Sequence, residues 1–304
     1  MSFASETKNE LCRTDPAPCC RRAECYGILL FGRNFNVKAV SFSTENGAAA
    51  HRAARFAEEI TGAVPRIASS SSGKTGERIV HTVSVEGAAG ISGVLNSFGH
   101  TGNEISLRIN LANLENECCR SAFLRGVFLA CGSVTDPRRD YHLEYVVPYR
   151  NLARDLSGFL LDIEELNLQP GFLNRKGSFV VYVKGSERVA DLLTFMGAPS
   201  AAMQLMQVKM LKEVRNNVNR KTNFEAANID KTATAAAQQV LAIEKLMKSP
   251  AYADLPEELK ELALLRLRNP DMSLRELGEN LSRPLSRSGV DHRLRRILEL
   301  GGKA

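Results

Sequence analysis

The sequence predicts an α+β protein in which a duplicated αββαββα domain with pseudo-twofold symmetry precedes an all-α helix-turn-helix domain. Three observations lead to this fold class. The first two hundred residues contain an internal repeat, both copies show the same order of helix and strand patterns, and the last fifty residues contain three short helical patterns separated by proline. The predicted parts are the duplicated domain 1–204 (copies about 19–110 and 118–204), a polar segment with a connector helix 205–253, and the helix-turn-helix domain 254–304.

Composition places the chain among ordinary globular proteins, with 44% hydrophobic and 24% charged residues over 304 positions. No apolar run is long enough to cross a bilayer, and the first residues lack the apolar region of a secretory signal, so we expect a cytoplasmic protein. The net charge is +6. Residues 1–204 contain 22 basic and 21 acidic residues, so the excess lies in the C-terminal third and indicates a polyanionic partner.

The seven cysteines do not form a recognisable disulfide or metal pattern. Four of them stand as the adjacent pairs Cys19-Cys20 and Cys118-Cys119, and the chain has neither a C-x-x-C motif nor histidines at ligand spacing beside them. We therefore interpret them as reduced packing residues, and we expect no metal and no cofactor.

The repeat becomes visible at an offset of 99 residues. Cys19-Cys20-Arg21 then matches Cys118-Cys119-Arg120, and Gly27 matches Gly126. Each copy begins with a short apolar helix, continues with a strand region and an amphipathic helix, and closes with two strands and a short helix. The Ser-rich stretch Ser69–Gly73 is predicted to be a loop. The predicted ranges are 20–31, 36–43 and 48–60 in the first copy and 119–131, 141–148 and 151–166 in the second.

The matched glycines lie in the middle of the first helix of each copy. Glycine in a helix costs about 1 kcal/mol relative to alanine, so its presence at both positions indicates that the two helices approach closely. A coincidence of two unrelated glycines is the alternative.

These two helices resemble the LAGLIDADG motif of homing endonucleases. The residues that carry the resemblance are Leu124–Ser133 (LRGVFLACGS) and, in a more degenerate form, Cys25–Asn34. The resemblance implies side-by-side packing of both helices and a metal-binding carboxylate at the eighth motif position. Here those positions are Gly32 and Cys131, which offer no carboxylate for a divalent cation. Asp136 and Asp140 follow the second motif, but the first copy has no equivalent acid.

We therefore expect no nuclease activity and no catalytic residues. Whether the sheets still contact DNA, as in the endonucleases, stays open at this point.

Residues 255–300 contain the clearest local pattern. A helix begins near Pro256, and Ser273-x-x-Glu276 is a capping box that starts a second, short helix. A third helix follows, capped by Ser286 or Ser288, with apolar positions at Val290, Leu294, Ile297 and Leu298.

When this apolar stripe faces the core, the basic residues of the last helix point outward, an arrangement typical of a helix that enters the major groove. The alternatives are a solvated face or a protein-docking face. The predicted DNA-binding residues are Arg283, Ser286, Arg287, Ser288, Asp291, His292, Arg293, Arg295 and Arg296, of which Arg283, Arg287 and Arg293 suit phosphates.

Five asparagines and four basic residues give residues 214–231 an unusual polarity. Because asparagine favours caps and turns, we predict an ordered hinge here; packing against the first domain or contact with a DNA backbone is the alternative. Residues 232–248 are predicted to form a connector helix.

Over nearly its full length the chain resembles the WhiA family, most specifically in Ala122–Asp136, Val214–Lys231 and Ser286–Arg296. The resemblance implies a sporulation and cell-division transcription regulator that binds promoter DNA. RNA polymerase or another regulator is a further implied partner, and nucleoid association an implied location. A docking factor that uses the helix-turn-helix to bind protein is the alternative, and we expect a monomer without a membrane partner.

Overall fold

The structure, a computed structural model, describes residues 2–72 and 78–302. Its contacts divide the chain into two compact units, residues 1–212 and 213–304. No helix among the described residues has the length and apolar character that a membrane span requires.

The first unit contains two sheets built in the same way. In the first copy, helix α2 (Pro18–Leu30) leads into strands β1 (Asn34–Asn36) and β2 (Ala39–Thr44), helix α3 (Gly47–Thr61), strands β3 (Pro65–Ser72) and β4 (Arg78–Val85), and helix α4 (Ala88–Ser97). The second copy repeats this order as α5 (Glu117–Cys131), β5 (Gly132–Val134), β6 (His142–Val147), α6 (Arg150–Leu161), β7 (Gly171–Arg175), β8 (Ser178–Lys184) and α7 (Ser186–Met196).

The two antiparallel sheets have the equivalent orders β1-β2-β4-β3 and β5-β6-β8-β7. The duplicated αββαββα fold predicted from the repeat is confirmed.

Helices α2 and α5 pack against each other at the matched glycines. A Cβ atom added at Gly27 would lie 2.5 Å from the carbonyl oxygen of Phe123, and one added at Gly126 would collide with the carbonyl oxygen of Glu24. The close approach inferred from these glycines is therefore confirmed, because neither backbone leaves room for a side chain.

A buried ion network fixes the same pair of helices. Glu24 of α2 accepts hydrogen bonds from Arg52 of α3 (2.5 and 2.9 Å) and from Arg125 of α5 (2.8 Å). Arg52 also donates to the carbonyl oxygens of Cys12 and Thr14, and Arg125 donates to that of Met196. All three charged groups are thus paired and hydrogen-bonded, as buried charges must be.

Several predicted boundaries were wrong. Ser69–Ser72 belong to β3 rather than to a loop, and Gly73 lies outside the described residues. This strand is the outer one of its sheet, so Ser69–Ser71 stay exposed while the backbone pairs with β4. In the second copy the first strand is β5, directly after α5, and α6 ends at Leu161 before a separate 3-10 turn at Glu164–Leu166.

A helix before the repeat was not predicted. Helix α1 (Phe3–Leu11) begins at the cap Ser2, whose side chain accepts a hydrogen bond from the backbone of Ser5. Phe3 and Leu11 are buried in the core of the first unit.

The predicted hinge at 214–231 was also wrong, because helix α8 runs without interruption from Pro199 to Met247. The asparagines of this segment are exposed on the helix. Ala201 and Leu205 are buried near its beginning and Ile243 and Leu246 near its end, so packing at both ends favours helix formation through the polar middle.

The second unit packs the end of α8 against three short helices, α9 (Glu257–Arg268), α10 (Leu274–Glu279) and α11 (Arg287–Gly301). Pro256 is the N-cap of α9 rather than its first residue. The capping box of Ser273 and Glu276 is present as predicted. The core of this unit consists of Ile243, Leu246, Leu255, Leu259, Leu262, Ala263, Leu277, Leu281, Val290, Leu294 and Ile297.

Candidate nucleic-acid interface

Helix α11 has one buried and one exposed face. Its N-cap is Ser286, whose hydroxyl accepts a hydrogen bond of 3.2 Å from the backbone of Gly289, and Ser288 is not the cap. Val290, Leu294 and Ile297 are each at most 1% exposed. Side chains that point away from this stripe are free to contact a partner: Ser286, Arg287, Ser288, His292, Arg295 and Arg296 are exposed.

The arginines of this face differ in their partners. Arg295 is paired with Asp291 one turn earlier, at 2.8 Å, and its side chain is 72% exposed. Arg287 and Arg296 form no ion pair with any residue that the structure describes. Because a solvent-exposed pair contributes little, Arg295 can exchange Asp291 for a base edge or a phosphate at small cost.

Arg293 has a different environment. Its guanidinium lies 2.6 Å from Glu258 of α9, and its side chain is only 27% exposed. Arg283 is 3.8 Å from the same carboxylate but is 88% exposed. Arg293 therefore connects α11 to α9, which makes it a weaker candidate for phosphate contact than Arg283.

The turn before α11 is positioned by α9 and α10. Glu261 of α9 accepts hydrogen bonds from the backbone N–H and the hydroxyl of Ser282 at 2.6 and 2.8 Å, and these bonds lower the pKa of Glu261. Leu285 donates its backbone N–H to the carbonyl of Gly278. A Cβ atom at Gly278 would collide with the backbone of Leu285, so this close approach requires glycine.

Arg266 holds the turn between α9 and α10 and was not singled out from the sequence. It is 2% exposed and donates to the side-chain oxygen of Gln239 on α8 and to the carbonyl oxygens of Pro270 and Met272. Burial lowers its pKa. The available signal was its spacing: Arg266 follows the apolar residues Leu259 and Leu262 by two turns and one turn of the helix, so it lies on their side of α9, where a buried guanidinium needs several acceptors.

The degenerate motif positions lie at the ends of α2 and α5. Gly32 has no side chain, and a Cβ atom there would lie 2.7 Å from the carbonyl oxygen of Ser41. Cys131 contacts the carbonyl oxygen of Val127 at 3.4 Å, and burial raises the pKa of its thiol to about 12. A protonated thiol and a glycine offer no anionic oxygen to a divalent cation.

Lys8 is another functional candidate that the sequence analysis missed. This residue of α1 donates a hydrogen bond of 3.1 Å to the carbonyl oxygen of Leu129, and Cys131 is among the groups that affect the pKa of Lys8. Burial lowers the pKa of Lys8, and the neighbouring Cys131 and Cys12 oppose that effect. An amine side chain therefore lies beside the second degenerate position, where a nuclease needs carboxylates.

The two acids after the second motif serve the local turn. Asp136 accepts the backbone N–H of Arg138 at 2.9 Å, and Asp140 accepts that of Tyr141 at 2.7 Å. Both carboxylates thus cap backbone groups in the loop between β5 and β6.

Models of two domains of one protein family match most of the chain from residue 120 onward. The model of the WhiA LAGLIDADG-like domain matches residues 120–215, and that of the WhiA C-terminal HTH domain matches residues 218–301.

Full-length relatives are also similar. A protein of Ruminiclostridium cellulolyticum named "Probable cell division protein WhiA" is 36% identical over 99% of this chain and 97% of its own length. A protein of the same name from Heliobacterium modesticaldum is 36% identical over 99% and 96%.

Solved structures agree with these relatives. The crystal structure of full-length DUF199/WhiA from Thermotoga maritima matches with a TM-score of 0.59 and 26% identity, covering 100% of this chain and 99% of the other. With such identity over almost the complete length, the chain belongs to the WhiA family.

Proposed function

We propose that the chain is a sequence-specific DNA-binding transcription regulator without nuclease activity, and that α11 is its recognition helix. The observation that carries the proposal is the division of α11 into a buried aliphatic stripe and an exposed face with Ser288, His292, Arg295 and Arg296. A short helix followed by a turn and a basic helix is the geometry with which helix-turn-helix proteins enter the major groove. Arginine can bind guanine with two hydrogen bonds.

The individual contacts are assigned as follows. Arg295, Arg296, His292 and Ser288 contact base edges, with Asp291 orienting Arg295 until DNA replaces it. Ser286, Arg287 and Arg283 contact phosphates, which position the helix but do not specify sequence. Arg293 holds α11 on α9.

The names of the relatives add a cellular context. Proteins that are 36% identical are named as cell division proteins. We infer that the promoters bound by this chain serve cell division, including sporulation where the organism sporulates, and that the protein associates with the nucleoid.

Replacing Arg295 and Arg296 by alanine tests base recognition. The full-length double variant and the wild type are compared for binding to genomic DNA fragments at two salt concentrations. Each lost bidentate contact costs about 1–3 kcal/mol of discrimination, so we expect loss of site preference with residual salt-dependent binding. The matched control is Arg154→Ala with Arg188→Ala, which removes two exposed arginines from the first unit.

An unchanged affinity and footprint in the Arg295/Arg296 variant would contradict the proposal. It would favour the alternative in which α11 docks RNA polymerase or a division protein.

The absence of nuclease activity is tested separately. We expect supercoiled DNA to stay intact when the full-length chain is incubated with Mg²⁺ or Mn²⁺, because Gly32 and Cys131 replace the metal-binding acids and the neighbouring Lys8 offers no anionic ligand. Cleavage that disappears in Asp136→Asn would show that the loop acid replaces the lost motif acid.

A further inference from the structure

The four paired cysteines meet at one place in the first unit. Cys19 and Cys20 belong to α2, and Cys118 and Cys119 belong to α5. The Sγ atom of Cys19 lies 3.9 Å from those of both Cys20 and Cys118, and all four sulfur atoms lie within 4.8 Å of one another. The other three cysteines, at positions 12, 25 and 131, do not belong to this group.

The duplication explains why the sulfur atoms converge. The matched glycines Gly27 and Gly126 bring α2 and α5 into contact along their length, so the residues at equivalent positions near the two N-termini become neighbours. The cysteine pairs occupy the second and third positions of their helices, α2 beginning at Pro18 and α5 at Glu117.

Both helix ends favour negative charge at the sulfur atoms. Neither Ala17 nor Asn116, the two N-cap residues, accepts a hydrogen bond with its side chain from the first turn. Each helix N-terminus carries a partial charge of about +0.5, and this partial charge stabilises a thiolate.

The spacing of the sulfur atoms fits a single tetrahedral ion. With a zinc–sulfur bond of about 2.3 Å, the sulfur atoms of a tetrahedral site are about 3.8 Å apart. Two of the distances here are 3.9 Å, and because no two of the sulfur atoms are more than 4.8 Å apart, a shift of less than 1 Å from each side chain closes the site around the ion. A disulfide between Cys19 and Cys118 needs their Sγ atoms to approach by about 1.9 Å, from 3.9 Å to about 2.0 Å, whereas at 3.9 Å this pair already has the spacing of two zinc ligands.

We propose that Cys19, Cys20, Cys118 and Cys119 bind one Zn²⁺ ion that joins the two copies at the beginning of their central helices. Four sulfur ligands select a thiophilic metal that accepts tetrahedral geometry, and they leave no open position for water or substrate. The site is therefore structural and independent of DNA binding by α11.

Metal binding at this cluster must displace protons from the thiols. Burial, together with the neighbouring thiols, raises the pKa of Cys20, and burial also raises that of Cys119. For Cys19, burial acts in the same direction, but hydrogen bonds from the adjacent thiols outweigh it and lower the pKa. Binding of Zn²⁺ releases the protons of the four thiols to solvent, so affinity increases with pH.

The test measures metal content in the full-length chain. The protein is isolated under reducing conditions without chelator, incubated with zinc chloride, freed of excess metal and analysed for zinc by mass spectrometry. We expect about one Zn²⁺ per chain in the wild type and at least a tenfold lower content in Cys19→Ser with Cys118→Ser. The matched control Cys12→Ser with Cys131→Ser also loses two thiols, both outside the cluster, and is expected to keep its zinc.

Cobalt gives an independent readout of the ligands. When Co²⁺ replaces Zn²⁺, we expect a thiolate-to-cobalt charge-transfer band and the intense visible absorption of a tetrahedral site, both absent in the cluster variant.

Three results would overturn the proposal: less than about 0.1 Zn²⁺ per wild-type chain, zinc retained by the cluster variant, or a Cys19–Cys118 disulfide in the freshly isolated protein. The zinc content of the wild-type chain tests the proposal even if the double variant fails to fold. The single variant Cys118→Ser, at an exposed side chain, provides a milder substitution.

Discussion

At the scale of single residues, Arg266 stabilises the turn between α9 and α10 through buried and partly buried hydrogen bonds. It is 2% exposed, and its guanidinium donates to the side-chain oxygen of Gln239 on α8 and to two carbonyl oxygens of the turn between α9 and α10. We expect Arg266→Met to lower the free energy of unfolding of the second unit by about 3 kcal/mol, since the buried side-chain oxygen of Gln239 and two partly buried carbonyl oxygens lose their donor. Urea unfolding measures this change.

Arg268→Ala is the control for that measurement. This arginine lies two residues further along α9 and is exposed, so its replacement should change the unfolding free energy by no more than about 0.5 kcal/mol. Equal effects of both substitutions would mean that the buried hydrogen bonds of Arg266 do not stabilise the unit.

His100 is expected to make stability depend on pH. Its ring is 6% exposed, and burial lowers its pKa from 6.5, an effect that Glu104 partly opposes. The hydroxyl of Tyr26 accepts the backbone N–H of Asn110 at 2.7 Å and forms a hydrogen bond of 2.9 Å with Nε2 of His100, so the ring has a polar partner in its neutral form.

The sign of this effect follows from the proton balance. A histidine with a lowered pKa in the folded state contributes stability that is complete above pH 6.5 and is lost as the pH falls below that value. We expect the wild type to lose more unfolding free energy between pH 7.5 and pH 5 than His100→Gln loses. The exposed His51→Gln should behave like the wild type, and a pH profile unaltered by His100→Gln would contradict this role.

At the scale of elements, the contact between α2 and α5 depends on the absence of two side chains. Gly27→Ala and Gly126→Ala each place a methyl group against a backbone carbonyl of the opposite helix. We expect each substitution to lower the unfolding free energy of the first unit by at least about 2 kcal/mol, because overpacking here must move a whole helix.

Gly158 of α6 is the matched control because a Cβ atom there would contact nothing within 4 Å. Gly158→Ala should therefore raise the unfolding free energy by about 0.5–1 kcal/mol through helix propensity alone. Thermal unfolding of the three variants side by side measures the destabilisation expected for Gly27→Ala and Gly126→Ala and the stabilisation expected for Gly158→Ala. Destabilisation by Gly158→Ala would show that the contact between α2 and α5 does not explain the effect of the other two substitutions.

The elements also show which parts of this fold a sequence can predict. Matched glycines and apolar spacing predicted α2 and α5 correctly, because packing against a partner leaves periodic residues in the sequence. Polar residues in α8 and β3 gave the wrong prediction: asparagine and serine are poor formers of these structures in isolation, yet packing at both ends of α8 and pairing with β4 outweigh that preference.

Functional residues from distant parts of the chain were harder to predict. The cysteines at 19 and 118 are 99 residues apart, and they become neighbours only through the packing of α2 on α5. The repeat had already matched these two positions, so the combination of equivalent positions and side-by-side helices was the signal available. Lys8 had no such signal, because α1 lies outside the repeat.

At the scale of the whole molecule, the two units differ in the charge they can offer to DNA. Exposed arginines on the sheets of the first unit are paired with carboxylates: Arg66 with Glu86 at 3.3 Å and Arg175 with Glu144 at 2.9 Å. With 22 basic and 21 acidic residues in positions 1–204, that part of the chain is nearly neutral. The sheets are therefore poor sites for phosphate binding, whereas Arg287 at the beginning of α11 is exposed and forms no ion pair among the described residues.

The salt dependence of DNA binding separates the two surfaces. Each phosphate contact adds about 0.9 to the slope of log K against log salt concentration, so Arg287→Ala should reduce the slope by about that amount and weaken all sequences equally. Arg66→Ala with Arg175→Ala removes two positive charges from the sheets and should leave the slope unchanged, because their carboxylate partners already offset those charges. Binding isotherms of the full-length chain at four or more salt concentrations give both slopes. A slope that falls in the sheet variant instead would mean that the endonuclease-like sheets contact DNA directly, with the phosphates displacing Glu86 and Glu144.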